Sequence, residues 1–450
     1  MNSLNNIEYF LDVFFQNKNS EAILWKGEKF TYSYLYANIL KWIKKFQTFQ
    51  EGSVFGLESD FTPETISILF ALIETNMIIV PLNINQSEKN LKKAKISELD
   101  YLIKINIKDE VLISKESIFK IKNVFYEDLR LRKVPGLVLF TSGSSGEPKA
   151  AVHDLLKLLT KFQTKRKSLK TINFLLFDHW GGLNTLFYIL SNGGILLALE
   201  NRTPHYICEL IEKYNVELLP TSPTFLNLLL LSRAYEKYNL NSLKIITYGS
   251  EPMPENLLKR INDIFPNIKL QQTYGLIELG VMRSSSLNNS SLWVKIGGEG
   301  FETRIVNGLL EIKADSAMLG YINAESPFTE DGFFKTGDLV ETNGQYVKIL
   351  GRKSEIINVG GEKVFPQEVE NVILDHKLVE DVIVYGKDNS LTGKIVCAKI
   401  KCKSLDNKLI LKKELKELCF KKLEPFKRPI KYDFSTEALS SERFKKKRLN

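Results

Sequence analysis

Apolar residues recur along the chain at two spacings. Residues 32–46 (YSYLYANILKWIKKF) and 63–74 (PETISILFALIE) carry them at helical spacing, whereas residues 53–59 (SVFGLES) and 77–83 (MIIVPLN) are short apolar runs typical of buried strands. The same alternation returns over residues 172–266, with prolines and glycines at the joins. Strands that alternate with helices predict parallel βαβ units and therefore an α/β fold.

The pattern changes after residue 288. The segments WVKIGG, FETRIVNGLLEIKA, MLGYIN and YVKILGR are short strand-like runs separated by glycine turns, which predict a small β module. From residue 351, the strand patterns VEDVIVYGK and GKIVCAKIKCK and the helical pattern LKKELKELCFKKL predict an α+β unit. Because 450 residues exceed what one hydrophobic core supports, we expect two domains, residues 1–350 and 351–450.

Composition narrows the class of protein. With 44% hydrophobic and 26% charged residues, the chain has the composition of a soluble globular protein. The start lacks the basic region and cleavage site of a secretory signal, and the most apolar window, 66–84, is interrupted by polar residues, so neither export nor a membrane span is predicted. The four cysteines show no metal-ligand spacing, which favours reduced thiols and a cytoplasmic location.

The net charge of +9 is concentrated at the end of the chain. Residues 351–450 contain 23 Lys and Arg against 15 Asp and Glu, so +8 of it lies there. No zinc-finger, RNP or heptad signature accompanies this charge, so nucleic acid is not predicted as a partner. An acidic carrier protein, a polyphosphate ligand and a simple solvated lysine-rich surface remain open.

Residues 137–154 (LVLFTSGSSGEPKAAVHD) contain an unusual density of hydroxyl groups and glycines. An apolar strand precedes the loop, and AVHDLLKLLTKFQ after it predicts a helix, so backbone N–H groups, hydroxyls and a helix N-terminus converge as in a phosphate site. The alternative is a flexible surface loop, and the Walker A pattern is absent. The candidate phosphate-binding residues are Thr141, Ser142, Gly143, Ser144, Ser145, Gly146 and Lys149.

FTSGSSGEPKA resembles the phosphate loop of the adenylate-forming superfamily, which comprises acyl- and aryl-CoA synthetases, carrier-protein adenylation enzymes and luciferases. Four further segments resemble family motifs in the same order: YGSEPMP, QQTYGLIELG, MLGYIN…DGFFKTGDL and GRKSEIINVGGEKVFPQEVE. The resemblance therefore covers nearly the whole chain. It implies a large N-terminal domain of two α/β layered subdomains plus a small β-barrel-like module, followed by a small mobile α+β lid domain.

The resemblance also implies roles for individual residues. Tyr274 would stack on adenine, Glu278 would help to hold Mg²⁺ on the phosphates, Asp338 would accept hydrogen bonds from both ribose hydroxyls, and Arg352 would contact the ribose. Ser354 would be the swivel between the domains. Taken alone, an aspartate after Thr-Gly is more typical of a turn. The remaining residues of the implied nucleotide pocket are Gly249, Ser250, Glu251, Pro252, Thr273 and Gly275.

His179 indicates the branch of the family. His179 and Gly182 match an H-x-x-G element that lies beside the carboxylate pocket of acyl- and aryl-acid enzymes. The amino-acid-activating branch instead places an aspartate near this point to hold the substrate amine, and Asp178 is the neighbouring residue. We favour the acyl or aryl reading, and a histidine that serves only packing remains the alternative.

Two positions depart from the family pattern. Ile277 stands where a threonine normally donates a hydrogen bond to the α-phosphate, which could raise the barrier by about 2–3 kcal/mol. The C-terminal lysine that acts during adenylation is replaced by Arg443, or by Lys445 if the segment slips by two residues. Arginine does not substitute equally for lysine in a tight site, and a disordered basic tail is the alternative.

The predicted function is ATP-dependent activation of a carboxylic acid to acyl-AMP with release of pyrophosphate. Transfer to a thiol follows, either of CoA or of the phosphopantetheine of an acidic carrier protein. ATP, Mg²⁺ and the thiol are the expected cofactors and co-substrates. The alternatives are an amino-acid adenylating enzyme that loads a carrier protein, a catalytically weakened nucleotide-binding homologue, and a P-loop phosphotransferase, which the missing Walker pattern disfavours.

Overall fold

The computed structural model describes residues 6–116, 123–142 and 147–439. In chain order, its α-helices are α1 (Glu8–Gln16), α2 (Tyr32–Phe46), α3 (Pro63–Glu74), α4 (Ser87–Ile96), α5 (Val124–Arg132), α6 (Leu155–Leu159), α7 (Trp180–Ser191), α8 (Pro204–Tyr214), α9 (Pro223–Ser232), α10 (Glu255–Ile264), α11 (Pro366–Leu374) and α12 (Lys408–Lys422). Its strands up to residue 281 are β1 (Glu21–Trp25), β2 (Glu28–Thr31), β3 (Val54–Ser59), β4 (Ile78–Asn83), β5 (Tyr101–Ile105), β6 (Val111–Lys115), β7 (Gly136–Ser142), β8 (Pro148–Asp154), β9 (Lys170–Ile172), β10 (Ile195–Leu197), β11 (Leu218–Thr221), β12 (Ile245–Tyr248), β13 (Lys269–Gln272), β14 (Gly275–Leu276) and β15 (Gly280–Val281). The later strands are β16 (Arg283–Ser286), β17 (Val294–Gly297), β18 (Phe301–Val306), β19 (Leu309–Ala314), β20 (Gly320–Tyr321), β21 (Phe334–Asn343), β22 (Tyr346–Arg352), β23 (Ile357–Val359), β24 (Glu362–Val364), β25 (Val379–Asn389), β26 (Gly393–Cys402) and β27 (Lys431–Ser435).

Two seven-stranded sheets form the α/β part of the molecule. The first has the order β13-β12-β11-β9-β10-β1-β2 and is parallel apart from the β1–β2 hairpin. The second has the order β20-β8-β7-β4-β3-β5-β6, with a parallel centre. Helices α1, α2, α3 and α7 contribute to a core that contains residues of both sheets. The predicted α/β architecture is thus confirmed.

Aromatic side chains join the helices of this shared core. The ring of Phe10 in α1 lies 5.1 Å from Phe70 in α3 and 5.9 Å from Phe187 in α7, measured between ring centroids. Local sequence fixes where the helices begin: Thr62 accepts a hydrogen bond from the Thr65 N–H, and Pro63 occupies the first turn of α3. The predicted bounds of α2 and α3 agree with the structure.

The segment after the hydroxyl-rich loop is a strand, and the prediction of a helix there was wrong. Residues 148–154 form β8, which pairs antiparallel with β7 from Gly136↔Asp154 to Ser142↔Pro148. The helix α6 begins only at Leu155, where Asp154 accepts a hydrogen bond from the Leu156 N–H. Both faces of β8 are buried, so its apolar run lacks the alternation that distinguishes a strand. The loop therefore joins two antiparallel strands instead of leading into a helix N-terminus.

The predicted β module is a six-stranded antiparallel sheet with the order β16-β17-β22-β21-β19-β18. One predicted member does not belong to it, because Gly320 and Tyr321 of the MLGYIN segment form β20, which pairs with β8 at the edge of the second sheet. The N–H groups of Leu319 and Ile322 donate to Val152 and Ala150 carbonyls there, satisfying an otherwise open sheet edge.

The last part of the chain forms a unit with its own core. Strands β23 to β27 make one sheet, and residues of this sheet pack with α11 and α12 in a separate hydrophobic cluster. This unit contacts the first sheet's helices, since Asn227 donates to the Glu380 carbonyl at 2.8 Å and Asn256 donates to Asp375 at 2.7 Å. Within the described ranges, no helix is both long and apolar enough to cross a membrane.

Candidate active site

Asp338 is the centre of a buried polar cluster. The Tyr274 hydroxyl donates to its Oδ2 at 2.5 Å, and the Arg352 Nε lies 3.3 Å from its Oδ1. The pairing of β21 with β22 places Asp338 opposite Arg352, and the left-handed φ of +74° at Gly337 suits glycine at the turn before it. Three residues that the sequence analysis named separately are therefore brought together.

Charge and burial shift the pKa values of this cluster. Burial raises the pKa of Asp338, and the neighbouring Arg352 and the hydrogen bond from Tyr274 oppose that rise. Burial also raises the pKa of Tyr274, as does the carboxylate beside it, so the tyrosine stays a donor. Because a carboxylate has about four acceptor positions, each Asp338 oxygen keeps room for one more donor, such as a ribose hydroxyl.

A second cluster surrounds Glu278. The Tyr321 hydroxyl donates to Glu278 Oε1 at 2.5 Å, and the Thr141 side chain hydrogen-bonds the same tyrosine. Lys149 lies opposite Thr141 in the β7–β8 pair, with its Nζ 5.6 Å from the centre of the Tyr321 ring. Glu278, Thr141 and Lys149, which come from distant parts of the sequence, thus meet around Tyr321.

Arg352 interacts electrostatically with both clusters. Burial lowers the pKa of its guanidinium, but Asp338, Tyr274 and Glu278 together raise that pKa by more. Its side chain is 53% exposed, whereas that of Asp338 is 8% exposed. The carboxylate is therefore held from inside the protein, and the cation lies on the open side of the site.

Tyr321 and Thr336 are two further residues of the site that the motifs did not indicate. Thr336 Oγ1 accepts a hydrogen bond from the Asp338 N–H at 3.0 Å and donates to the Leu310 carbonyl at 2.7 Å. Both residues lie within quoted motifs, MLGYIN and FFKTGDL, but only the pairing of β20 with β8 and the bend before Asp338 reveal what they contact.

Several predicted site residues fall outside the part of the chain that the structure describes. These are Gly143, Ser144, Ser145 and Gly146 of the loop and Arg443 and Lys445 of the tail, together with the Ser142 side chain. Beside the loop, Ser142 pairs with Pro148, and Thr141 and Lys149 form the next pair of the β7–β8 ladder.

The predicted adenine-pocket residues lie at the carboxyl ends of β12 and β13. A Cβ at Gly249 would come within 2.4 Å of Thr273 Oγ1, so only glycine fits there, and Ser250 has a left-handed φ of +69°. Glu251 accepts a hydrogen bond from the Thr224 N–H at 2.6 Å. Pro252 follows it, at the edge where ligands bind in open parallel sheets.

Gly275 also lies against another strand, as a Cβ there would be 2.8 Å from the Val281 Cα. Gly275 opens the β14–β15 hairpin directly after Tyr274. The hairpin thereby carries Tyr274 at one end and Glu278 in its turn.

His179 and Asp178 have structural partners. His179 caps α7, with its Nδ1 accepting from the Gly181 N–H at 3.1 Å, and a Cβ at Gly182 would be 2.3 Å from the Leu176 carbonyl. Asp178 pairs with Lys93 at 3.0 Å, and the two side chains are 1% and 6% exposed. A carboxylate that already neutralises a buried lysine is poorly suited to hold a substrate amine, which argues against the amino-acid-activating alternative.

Ile277 packs against apolar residues of two clusters and supplies no hydrogen-bond donor. His153, which is fully buried, lies next to the backbone of Ile277 and Ser316, and burial lowers its pKa to about 4. The ring is therefore neutral at physiological pH.

Glu278 is suited to magnesium that arrives with a polyphosphate. Among the described residues, no three His, Cys, Asp or Glu side chains group as a metal site. Mg²⁺ commonly uses one or two carboxylates together with substrate phosphates. Tyr321 donates to Glu278 Oε1, and no described residue donates a hydrogen bond to Oε2, which could serve as the Mg²⁺ ligand.

Comparisons with known proteins identify the family and the fold. The model of the AMP-binding enzyme family matches residues 12–308, and that of the AMP-binding enzyme C-terminal domain matches residues 368–446. Acyl-CoA synthetase 7 of Caenorhabditis elegans is 27% identical over 328 residues, which cover 62% of this chain and 61% of that protein. The 2-succinylbenzoate–CoA ligase of Bacillus cytotoxicus is 25% identical, covering 91% of this chain and 90% of that protein. The crystal structure of the anthranilate CoA ligase AuaEII in complex with anthranoyl-AMP is similar with a TM-score of 0.80 at 18% identity, covering 97% and 95% of the two chains.

Proposed function

The chain belongs to the AMP-binding enzyme family, and on that basis we propose that it is an AMP-forming acid–thiol ligase. A carboxylic acid reacts with ATP to give acyl-AMP and pyrophosphate. The acyl group then passes to the thiol of CoA, which yields a thioester and AMP. The observation that carries the proposal is the joined cluster of Tyr274, Asp338 and Arg352 beside Glu278 and Tyr321.

Each cluster has a distinct part in nucleotide binding. Asp338 accepts hydrogen bonds from the ribose hydroxyls, with Arg352 over the sugar and Tyr274 against the base. Glu278, oriented by Tyr321, would hold Mg²⁺, which would neutralise charge on the polyphosphate. Lys149 and the loop from Thr141 bind the phosphates themselves, although the loop joins two strands and lacks the helix N-terminus that the sequence suggested.

The first step needs no protein nucleophile. The substrate carboxylate attacks the α-phosphorus, the bond to the bridging oxygen breaks, and pyrophosphate leaves with that electron pair. The protein's contribution is to position the two reactants and to neutralise charge as it develops. Arg443 or Lys445 would complete the cationic set, because the Ile277 side chain has no donor for the α-phosphate.

The second step involves the unit formed by residues 351–450. We propose that it is a lid that turns near Ser354 and presents the β23–β24 turn to the acyl-adenylate. Gly360 and Gly361 in this turn have left-handed φ values of +59° and +94°, a conformation that favours glycine. The lid's basic surface suits the phosphates of CoA, and an acidic carrier protein is the alternative acceptor.

A screen of carboxylic acids tests the proposal. Purified protein with Mg·ATP and each acid should release pyrophosphate and form AMP, and CoA or a phosphopantetheinylated carrier protein, added separately, should form the thioester. ADP as the product would contradict the proposal, and pyrophosphate exchange driven only by amino acids would select the carrier-loading alternative. Normal ATP binding without adenylate from any acid would indicate a catalytically weakened homologue.

We also propose that the enzyme works in the cytoplasm. Cys208, Cys397, Cys402 and Cys419 are all buried free thiols, which suits a reducing compartment. We expect the rate of AMP formation to be the same before and after long incubation with a reductant.

A further inference from the structure

Three cationic side chains lie together beyond the β14–β15 hairpin. Lys161, in the 3₁₀ helix Thr160–Gln163, donates from its Nζ to the Val281 carbonyl at 2.7 Å. Arg283 follows Val281 by two residues, and Arg166 has its backbone N–H bonded to the Asn192 side chain just past α7. We call Lys161, Arg166 and Arg283 the basic cluster.

Among the described residues, the basic cluster has no acidic ion-pair partner. Burial lowers the pKa of Lys161 to about 7, and the positive charges of Arg166 and Arg283 lower it as well. Burial and neighbouring positive charge disfavour the charged forms of Lys161 and Arg166, so an anion placed among the three side chains would be bound favourably.

The basic cluster is close to the proposed adenylate site. Val281, which Lys161 contacts, pairs with Gly275, the residue after Tyr274. The Met282 N–H donates to the Tyr274 carbonyl at 3.0 Å. One short hairpin therefore separates the basic cluster from Tyr274 and Asp338.

Polar groups on one face of α7 lie between the β14–β15 hairpin and the basic cluster. Trp180, Asn184 and Tyr188 are spaced four residues apart and share one helix face. Trp180 Nε1 and Asn184 Oδ1 are buried and have no hydrogen-bond partner among the described residues. Trp180 Nε1 is directed at the hairpin, as a Cβ on Gly280 would lie 3.5 Å from it.

The far end of this face reaches the basic cluster. The Tyr188 hydroxyl donates to the Lys167 carbonyl at 3.1 Å, next to Arg166. Nine residues separate His179 from Tyr188, which corresponds to about 13 Å at the rise of an α-helix. A small organic acid is of comparable length.

We propose that the acid substrate carries a second anionic group, a carboxylate or similar oxyanion, about 13 Å from the carboxylate that is activated, and that Lys161, Arg166 and Arg283 bind it. The assignment rests on the proposed ligase function and adds the substrate class. The phosphates of CoA offer the same oxyanion chemistry from a second source. Exposure of Arg166 and Arg283 makes the basic cluster reachable from solvent, so the test includes both sources.

Pairs of acids with the same skeleton test the assignment. Each pair differs only in a distal carboxylate or its carboxamide, at distances from about 6 to 13 Å along the skeleton, and AMP formation gives kcat/KM for both. The wild-type enzyme should prefer the best dicarboxylate over its carboxamide by at least about tenfold, because the carboxamide leaves the buried cation uncompensated. Lys161→Met should bring that ratio close to one.

Two further variants keep the result interpretable. Arg166→Gln changes an exposed side chain and keeps the backbone N–H that bonds Asn192, and it should lower the ratio at least about threefold even if Lys161→Met fails to fold. Lys157→Met, an exposed lysine one helical turn before Lys161, should leave the ratio unchanged.

The outcomes separate this inference from the proposed function. A ratio near one in the wild type, or an unchanged ratio in both variants, overturns the inference while AMP formation still supports the ligase. If the variants instead raise KM for CoA but not for dephospho-CoA, with the acid ratio unchanged, the basic cluster binds the CoA phosphate and the assignment to the acid is wrong. Absence of AMP with every acid would count against the ligase itself.

Discussion

Asp178 and Asp338 are both buried and both form an ion pair, but their cationic partners differ in how far they are exposed to solvent. Asp178 and Lys93 are both enclosed, with side chains 1% and 6% exposed. Asp338 is equally enclosed at 8%, but its partner Arg352 is 53% exposed and 3.3 Å away. An enclosed pair compensates its own charges and leaves nothing for a ligand. Asp338 instead accepts a hydrogen bond from the buried Tyr274, and its cationic partner Arg352 is exposed to solvent. A ligand can therefore reach Asp338 without breaking an enclosed ion pair.

The largest effect is expected from breaking the enclosed pair. Asp178→Ala leaves Lys93 buried without its partner, which should lower the free energy of unfolding by about 3–5 kcal/mol. Urea unfolding followed by circular dichroism measures this change. Asp128→Ala, which breaks the exposed pair with Arg132, serves as the control and should leave the unfolding midpoint in place. Equal midpoints for the two variants would show that the enclosure of Asp178 has no energetic consequence.

His153 is a buried titratable residue that forms no ion pair with an acidic side chain in the described part of the chain. Because burial lowers its pKa to about 4 from 6.5, the unfolded chain takes up a proton first as pH falls, so stability should decrease from pH 6.5 to 4 by up to about 3 kcal/mol. His153→Leu should flatten the unfolding free energy across this window. Superimposable pH profiles for wild type and variant would contradict the assignment, and the less buried His205→Gln is the control.

Asp338→Ala should separate activity from stability. AMP formation should fall at least about tenfold because the ribose loses its acceptor, while the unfolding midpoint changes far less than in Asp178→Ala. Steady-state kinetics and urea unfolding on the same preparation measure both quantities. The control is Asp331→Ala, an exposed aspartate paired with Arg304, which should retain wild-type turnover. Unchanged turnover in Asp338→Ala would remove this residue from the site.

The smallest effect is expected at the second cluster. Tyr321→Phe removes the hydroxyl that orients Glu278, so the Mg²⁺ concentration for half-maximal AMP formation should rise about tenfold. Tyr346→Phe, in the same sheet region as Arg352 but at the other end of β22, should not change this concentration. A loss of kcat at every Mg²⁺ concentration, without a shift of the midpoint, would show that Tyr321 acts other than through Glu278.

Local patterns predicted most of the fold, and their failures have identifiable causes. The bounds of helices α2 and α3 were predicted correctly from the spacing of their apolar residues, because both helices pack these residues into the same core. The AVHD segment was misread as helix because β8 is buried on both faces and shows no alternation. The GY of MLGYIN was placed in the β module because its actual partner, β8, is about 170 residues earlier in the chain.

The candidate site divides in the same way. Motif order pointed to Tyr274, Asp338 and Arg352, which the structure brings into one cluster whose role stays a prediction. Tyr321 was not found because its contacts to Glu278 depend on a cross-sheet pairing. The basic cluster was invisible for the same reason, since Lys161 and Arg283 are more than a hundred residues apart.

The central claim is that Asp338 binds the ribose of the ATP that is converted to AMP. A crystal structure of the protein with Mg²⁺ and a non-hydrolysable ATP analogue tests it most directly. We predict both ribose hydroxyls within about 2.6–3.2 Å of the Asp338 carboxylate, with the base beside Tyr274 and Mg²⁺ near Glu278. A nucleotide bound elsewhere, with the Tyr274–Asp338–Arg352 contacts unchanged and no density beside them, would contradict the account.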